Sequence, residues 1–212
     1  MSPAQVAAFA REVIRPGFLD LDGAVEQVED FFEDRPAPTD AGGIPAIVAE
    51  VWQECLAEQE TWADESDSDR MTRAFAALES DGFVPRMAFS CCQPCGHTEI
   101  EEERTAGEHS YVFFHSQDAE RLAEPGVLHL AYGAFDDHPD LDPDLLAAAR
   151  QSEDPEIGAR AAADYERVVT AVGVRVVEAV RREGLEVAWD GNLRTRPAVT
   201  IDDWRRRLPT SP

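Results

Sequence analysis

Three cysteines and a histidine crowd one short stretch of the chain, Phe89-Ser90-Cys91-Cys92-Gln93-Pro94-Cys95-Gly96-His97. Two thiols spaced Cys-x-x-Cys reach one point, because a tight turn folds the sulfurs toward each other. Thiolate sulfur is a soft donor and suits Zn²⁺ in a tetrahedral set. Cys92 and Cys95 are therefore candidate zinc ligands, with His97 as a nitrogen donor; Cys91 beside them is a further candidate site residue but is not counted among these three ligands. One corner of the tetrahedron is then open to His109, His115, Cys55 or water. The choice separates a closed structural site from an open one.

The same residues allow thiol chemistry. A strand, then Cys92-Gln93-Pro94-Cys95, then a helix has the dithiol layout of thioredoxin-like proteins. The extra Cys91, the mid-chain position and the acidic run Glu99–Glu103 weigh against that reading. A structural disulfide suits a reducing compartment least. The fourth cysteine, Cys55, lies on an apolar helical face and reads as core.

A second dense polar point is Tyr111-Val112-Phe113-Phe114-His115-Ser116-Gln117-Asp118-Ala119-Glu120. Alternation puts Tyr111, Phe113 and His115 on one face of a strand, with His115 at its end. His115, flanked by Gln117 and Asp118, has the chemistry of a general base, a metal ligand or a substrate contact. The structural alternative is that Ser116 caps a helix whose positive end Asp118 and Glu120 complement. His129 reads as a half-buried strand residue. There is no Gly-rich phosphate loop, no nucleophilic serine elbow and no His-Glu-x-x-His, so several common enzyme classes have no footing here.

These residues must be positioned by a fold, and the apolar spacing outlines one. Val6, Phe9, Val13 and Ile14 make one helical stripe, ended by Pro16-Gly17. Leu21, Val25, Val28 and Phe32 make a second, stopped by the Pro36/Pro38 loop. Ile47, Val51, Cys55 and Trp62 make a third. The stretch Asp64–Asp69 supplies a linker and negative charge for the start of a fourth helix. A recurring unit follows. Met71, Phe75 and Leu78 space a helix that ends at Gly82 and enters a strand over Val84–Phe89. Tyr165 through Val180 space a longer helix that ends at Gly184 and enters a strand over Glu186–Trp189. Thr98 through Glu101 matches a capping box. Further strands are expected at Tyr111–His115, Val127–Tyr132 and Ala198–Ile201, with Asp136–Asp144 as a Pro-broken acidic loop. The expected class is α+β: a mixed or antiparallel sheet of about four to six strands with helices on one face, preceded by a helical N-terminal segment. The expected division is 1–65 helical, 66–205 α+β and 206–212 a tail.

The 212 residues carry 43 Asp plus Glu against 19 basic residues, every one of them Arg, for a formal net charge of −24. Residues 1–156 hold 35 of the acids and nine of the bases, so the excess surrounds the cysteines. Negative potential there favours a cation and raises thiol pKa values. It also repels phosphate, which argues against nucleic acid and anionic membrane as partners. No apolar run reaches the length of a membrane span, and the N-terminus lacks a basic-then-apolar signal pattern; a cytoplasmic location is expected.

The stretches Phe89–Gly96 (FSCCQPCG), Tyr111–Glu120, Leu128–Gly133 (LHLAYG) and Gly184–Gly191 (GLEVAWDG), before Asp203-Trp204-Arg205, resemble an actinobacterial domain-of-unknown-function family with a Cys-Cys-x-x-Cys-Gly motif. The resemblance spans most of the chain and implies no catalytic assignment. It marks Cys91, Cys92, Cys95, His115, Gln117 and Asp118. The leading expectation is a zinc-binding regulatory or binding module that uses Cys92, Cys95 and His97 or His115. Two alternatives stand beside it. One is an enzyme built on the same cluster, either a thiol oxidoreductase or a metal-assisted hydrolase that takes a small molecule. The other is a metal-free factor whose acidic face binds a basic protein by electrostatic steering.

Overall fold

A computed structural model of the chain, described over residues 2–33 and 43–209, shows an α+β fold that begins with helices. It divides into two compact units. One comprises Met1–Asp69, Glu120–Gly126 and Ile201–Pro212; the other comprises Arg70–Ala119 and Val127–Thr200.

The first unit is helical. Helix α1 (Pro3–Ile14) starts at a capping box in which Ser2 and Gln5 satisfy each other's backbone donors, with Pro3 in the first turn. Helix α2 (Leu21–Phe32) starts at Asp20, whose carboxylate accepts from Gly23 N, and α3 spans Gly43–Gln59. The three apolar stripes meet in one core of Val6, Ala10, Val28, Val48, Val51 and Trp52 with their neighbours, and Leu208 joins it from the C-terminal segment. Cys55 lies in that core, as its position on the α3 stripe predicts, and burial raises its thiol pKa. Helix α3 stops short of Trp62, which sits beyond a closing turn. The acidic stretch before α4 (Asp67–Ser80) has a structural use. Asp67 Oδ2 accepts from Asp202 N at 2.8 Å and Asp203 N at 2.9 Å, and Ser66 Oγ donates to Arg205 O at 2.9 Å. The Pro36/Pro38 stop lies outside the described residues.

The second unit holds the strands. A mixed sheet has the order β1 (Phe83–Arg86), β2 (Ser110–Phe113), β4 (Ala131–Ala134), with β1 parallel and β4 antiparallel to the central strand. A second sheet has the order β3 (Gly126–His129), β6 (Ala198–Ile201), β5 (Val187–Ala188). The run Val127–Tyr132, expected as one strand, thus serves two sheets. It breaks at the fully buried Leu130, whose N–H donates to Pro197 O at 3.0 Å. The long helix is α8 (Pro155–Arg182), capped by Asp154, with Val168, Val172, Val176 and Val180 buried. Gly82 and Gly184 both take the left-handed conformation, φ 81° and 83°, that ends a helix before a strand. The acidic loop leads into α7 (Pro143–Gln151), which starts at Asp142. The remaining helices, α5 (Gln93–Glu99) and α6 (Ser116–Ala119), frame the cysteine stretch. Among the described residues no helix is long and apolar enough to cross a membrane.

Candidate metal centre

The cysteines sit on the connection that leaves β1 and enters α5. Two non-glycine residues there, Ala88 and Ser90, adopt positive φ, 49° and 59°. Such conformations cost about 1 kcal/mol or more each and persist where surrounding contacts over-determine them. The contacts are visible. Phe89 N donates to Phe114 O at 2.9 Å, and Ser116 N donates to Ser90 O at 3.0 Å. Ser116 Oγ lies 2.8 Å from Ser90 O and 3.1 Å from Ala88 O. Between the two strained residues, the Phe89 ring packs edge-on against Phe113, 5.9 Å between centroids. The start of α6 thus pins the backbone immediately before Cys91.

Helix α5 begins earlier than the capping-box spacing predicts. Cys92 is its N-cap, extended at φ −154° and ψ 169°, and Pro94 lies in the first turn. Thr98 is therefore inside the helix, with its hydroxyl donating to Pro94 O at 3.1 Å. Gly96 places the helix against the sheet: a Cβ there would come within 2.5 Å of the Phe113 ring, which is wholly buried. Glycine is the residue that allows this approach.

The outcome is a cluster of three sulfurs. The Sγ atoms of Cys91, Cys92 and Cys95 all lie within 4.8 Å of one another, and Cys91 Sγ stands 3.7 Å from Cys92 Sγ. Cys91 is exposed and the other two are half-buried. The three thiols are not equivalent. The Cys95 backbone N–H, then the Cys95 and Cys91 thiols, donate to Cys92 and lower its pKa. Hydrogen bonding to Cys91 and then Cys92 holds the proton on Cys95, whose pKa is pushed up to about 12. The uniform rise expected from the acidic surroundings is thus overridden at Cys92. The nearby Glu99 carboxylate does raise that pKa, but short-range hydrogen bonds outweigh it.

Neither candidate histidine belongs to this cluster. His97 is on α5, but its Nδ1 is 3.0 Å from the Tyr111 hydroxyl and its Nε2 is 3.4 Å from the Gln93 amide nitrogen. Its ring meets Tyr111 and Phe113 edge-to-face. Desolvation there, then the Arg196 charge, lowers its pKa. His115 is buried, with Nε2 3.0 Å from Asp118 Oδ2 and Nδ1 accepting from Asp118 N at 3.2 Å. An acceptor Nδ1 places the ring proton on Nε2, where it donates to the carboxylate. Asp118, only 6% exposed, also binds Arg196, at 2.6 Å from Nη1 and 3.4 Å from Nη2. His115 by a hydrogen bond and Arg196 by an ion pair converge on the buried Asp118 carboxylate, while Gln117 is exposed on α6. Arg196 carried no local signal. It lies in an irregular Arg-Thr-Arg-Pro stretch before β6, and only the long-range pairing identifies it.

Beside His97, a cleft of about 590 Å³ is lined by Tyr111, Phe135, Tyr165 and Arg104. Arg104 stacks over Phe135 at 4.5 Å and holds Asp137 through contacts of 2.6 and 2.7 Å, so the arginine lining the cleft is already engaged.

The model of the family described as Domain of unknown function (DUF6891) matches residues 2–208. The chain belongs to this family. No curated protein and no solved structure matches it. In this DUF6891 chain, among the described residues, the three-cysteine group is the one set of His, Cys, Asp and Glu side chains close enough to hold a metal ion.

Proposed function

We propose that this chain is a metal-binding module that takes Zn²⁺ through Cys91, Cys92 and Cys95. The observation that carries the reading is the spacing of the sulfurs. Zinc–thiolate bonds of about 2.3 Å in a tetrahedron put neighbouring sulfurs about 3.8 Å apart. Cys91 Sγ and Cys92 Sγ stand at 3.7 Å, close to that separation. Preorganisation by Ser116, Phe89 and Gly96 supports the same reading, because little of the binding energy is then spent on ordering the loop. The acidic surroundings favour a cation. His97 and His115 remain in their own hydrogen bonds, so three sulfurs bind and the fourth position takes water or an added ligand. That arrangement differs from a closed four-residue structural site.

Titration with Co²⁺ tests the proposal. Thiolate coordination gives intense sulfur-to-cobalt charge transfer in the near ultraviolet and visible bands of tetrahedral strength, both removed by added Zn²⁺. Cys92→Ser and Cys95→Ser should each weaken or abolish them. A cobalt spectrum of the hydrated ion alone would refute the proposal.

A further inference from the structure

Resting on that metal site, we infer that it is a redox-released one: a hydroperoxide oxidises Cys91, Cys95 closes a disulfide onto it, and the metal leaves. Three features of the cluster carry this. Cys91 is the exposed sulfur, whereas Cys92 and Cys95 are half-buried, so a solute oxidant reaches Cys91 first. A second and a third sulfur stand within 4.8 Å of it, close enough to capture the oxidised product. The remaining cysteine, Cys55, is buried in the helical core and takes no part.

The chemistry balances. The Cys91 thiolate attacks one peroxide oxygen; the O–O bond breaks, the other oxygen leaves with a proton as water or alcohol, and Cys91 becomes a sulfenic acid. A neighbouring thiolate then attacks the sulfenic sulfur, the S–O bond breaks, and hydroxide leaves as water after taking up a proton. Two thiols and one hydroperoxide give one disulfide, one alcohol or water, and one further water, with two electrons passing from sulfur to oxygen.

Backbone geometry selects the partner. Consecutive Cα atoms are about 3.8 Å apart, below the roughly 4.4–6.8 Å that an ordinary disulfide spans, so Cys92 is poorly placed to close a ring with Cys91 despite its near sulfur. Cys95, the third residue of α5 and four positions from Cys91, does not suffer this restriction. A Cys91–Cys95 bond removes two of three ligands, and a lone Cys92 thiolate cannot retain the ion. Zinc release thereby reports oxidation.

The test is peroxide treatment of the full zinc-loaded chain, read by a zinc-sensitive dye together with peptide mapping. The expected result is one Cys91–Cys95 disulfide per chain and loss of the bound zinc, both reversed by a dithiol reductant. Cys95→Ser should instead accumulate a sulfenic acid at Cys91, trapped by a carbon nucleophile such as a 1,3-diketone. A chain that binds zinc but keeps it, or that forms a different disulfide, overturns this inference and leaves the metal site standing. A chain that binds no zinc overturns both.

Discussion

Gly96→Ala probes the scaffold that places the sulfurs. In an exposed helix interior, alanine is worth about 1 kcal/mol over glycine, so helix propensity alone predicts a more stable protein. The structure predicts the opposite sign. The added Cβ would meet Phe113 Cε2 at 2.5 Å and Cζ at 2.6 Å, well inside van der Waals contact. Phe113 has no exposed surface and belongs to the core with Val84, Ile100, Tyr111, Ala131 and Phe135, so the ring cannot swing away. Overpacking of this kind costs roughly 1–3 kcal/mol, and subtracting the propensity gain leaves a net loss of up to about 2 kcal/mol. Relief comes most easily by lifting α5, and Cys95 moves with it. Urea unfolding of the metal-free protein should therefore show a lower midpoint with an unchanged slope, and zinc affinity should fall in competition with a chromogenic chelator. A midpoint raised as helix propensity alone predicts, with zinc affinity intact, would refute the close approach of α5 to the sheet and the positioning argument built on it.

Three further outcomes follow from particular contacts. Ser116→Ala removes the hydroxyl that ties down Ser90 O and Ala88 O; it should cost about 1 kcal/mol in urea unfolding and weaken zinc binding, since the strained loop loses its restraint. Arg196→Met strands the buried Asp118 carboxylate and should destabilise by about 3 kcal/mol, with partial recovery in the Arg196→Met/Asp118→Asn double variant; equal unfolding midpoints in the two would argue against the ion pair. Stability should also fall as pH drops below the ordinary histidine pKa of about 6.5. His109 and His138 meet edge-to-face at 4.8 Å, and His138 is 5% exposed with Nδ1 accepting from Asp140 N. Desolvation and then the Arg175 charge lower the pKa of His109, against the opposing pull of Asp140; desolvation and then His109 lower the pKa of His138. The unfolded chain then binds protons that the folded chain refuses, so unfolding is favoured progressively from that pH downward. His138→Gln should flatten this slope in urea titrations at successive pH values.

The helices were legible because their stripes are local and periodic. Val6 through Ile14, and Tyr165 through Val180, show the spacing that buries them, and Gly82 and Gly184 mark real left-handed ends. The division of Val127–Tyr132 between two sheets was not legible, because a continuous strand-like run says nothing about which neighbour each residue bonds. Within the candidate site, the closeness of the cysteine sulfurs was legible from spacing alone. The two histidines were candidates by type, yet their nitrogens are committed to Tyr111 and Asp118, partners fixed by tertiary packing rather than by neighbouring residues in the chain. Thr98-x-x-Glu101 imitated a helix start, but the extended Cys92 followed by Pro94 supplies an earlier one. The position of Ser116 at a helix start suggests a cap; its hydroxyl instead holds the loop that presents the sulfurs.

The most direct test of the central claim is native mass spectrometry of the untagged chain, purified under reducing conditions and supplied with Zn²⁺ in slight excess. The account predicts one zinc per chain in the wild type, and loss of that zinc in Cys92→Ser and Cys95→Ser but not in Cys55→Ser. A wild-type mass without zinc, or zinc retained when both Cys92 and Cys95 are replaced, would contradict it.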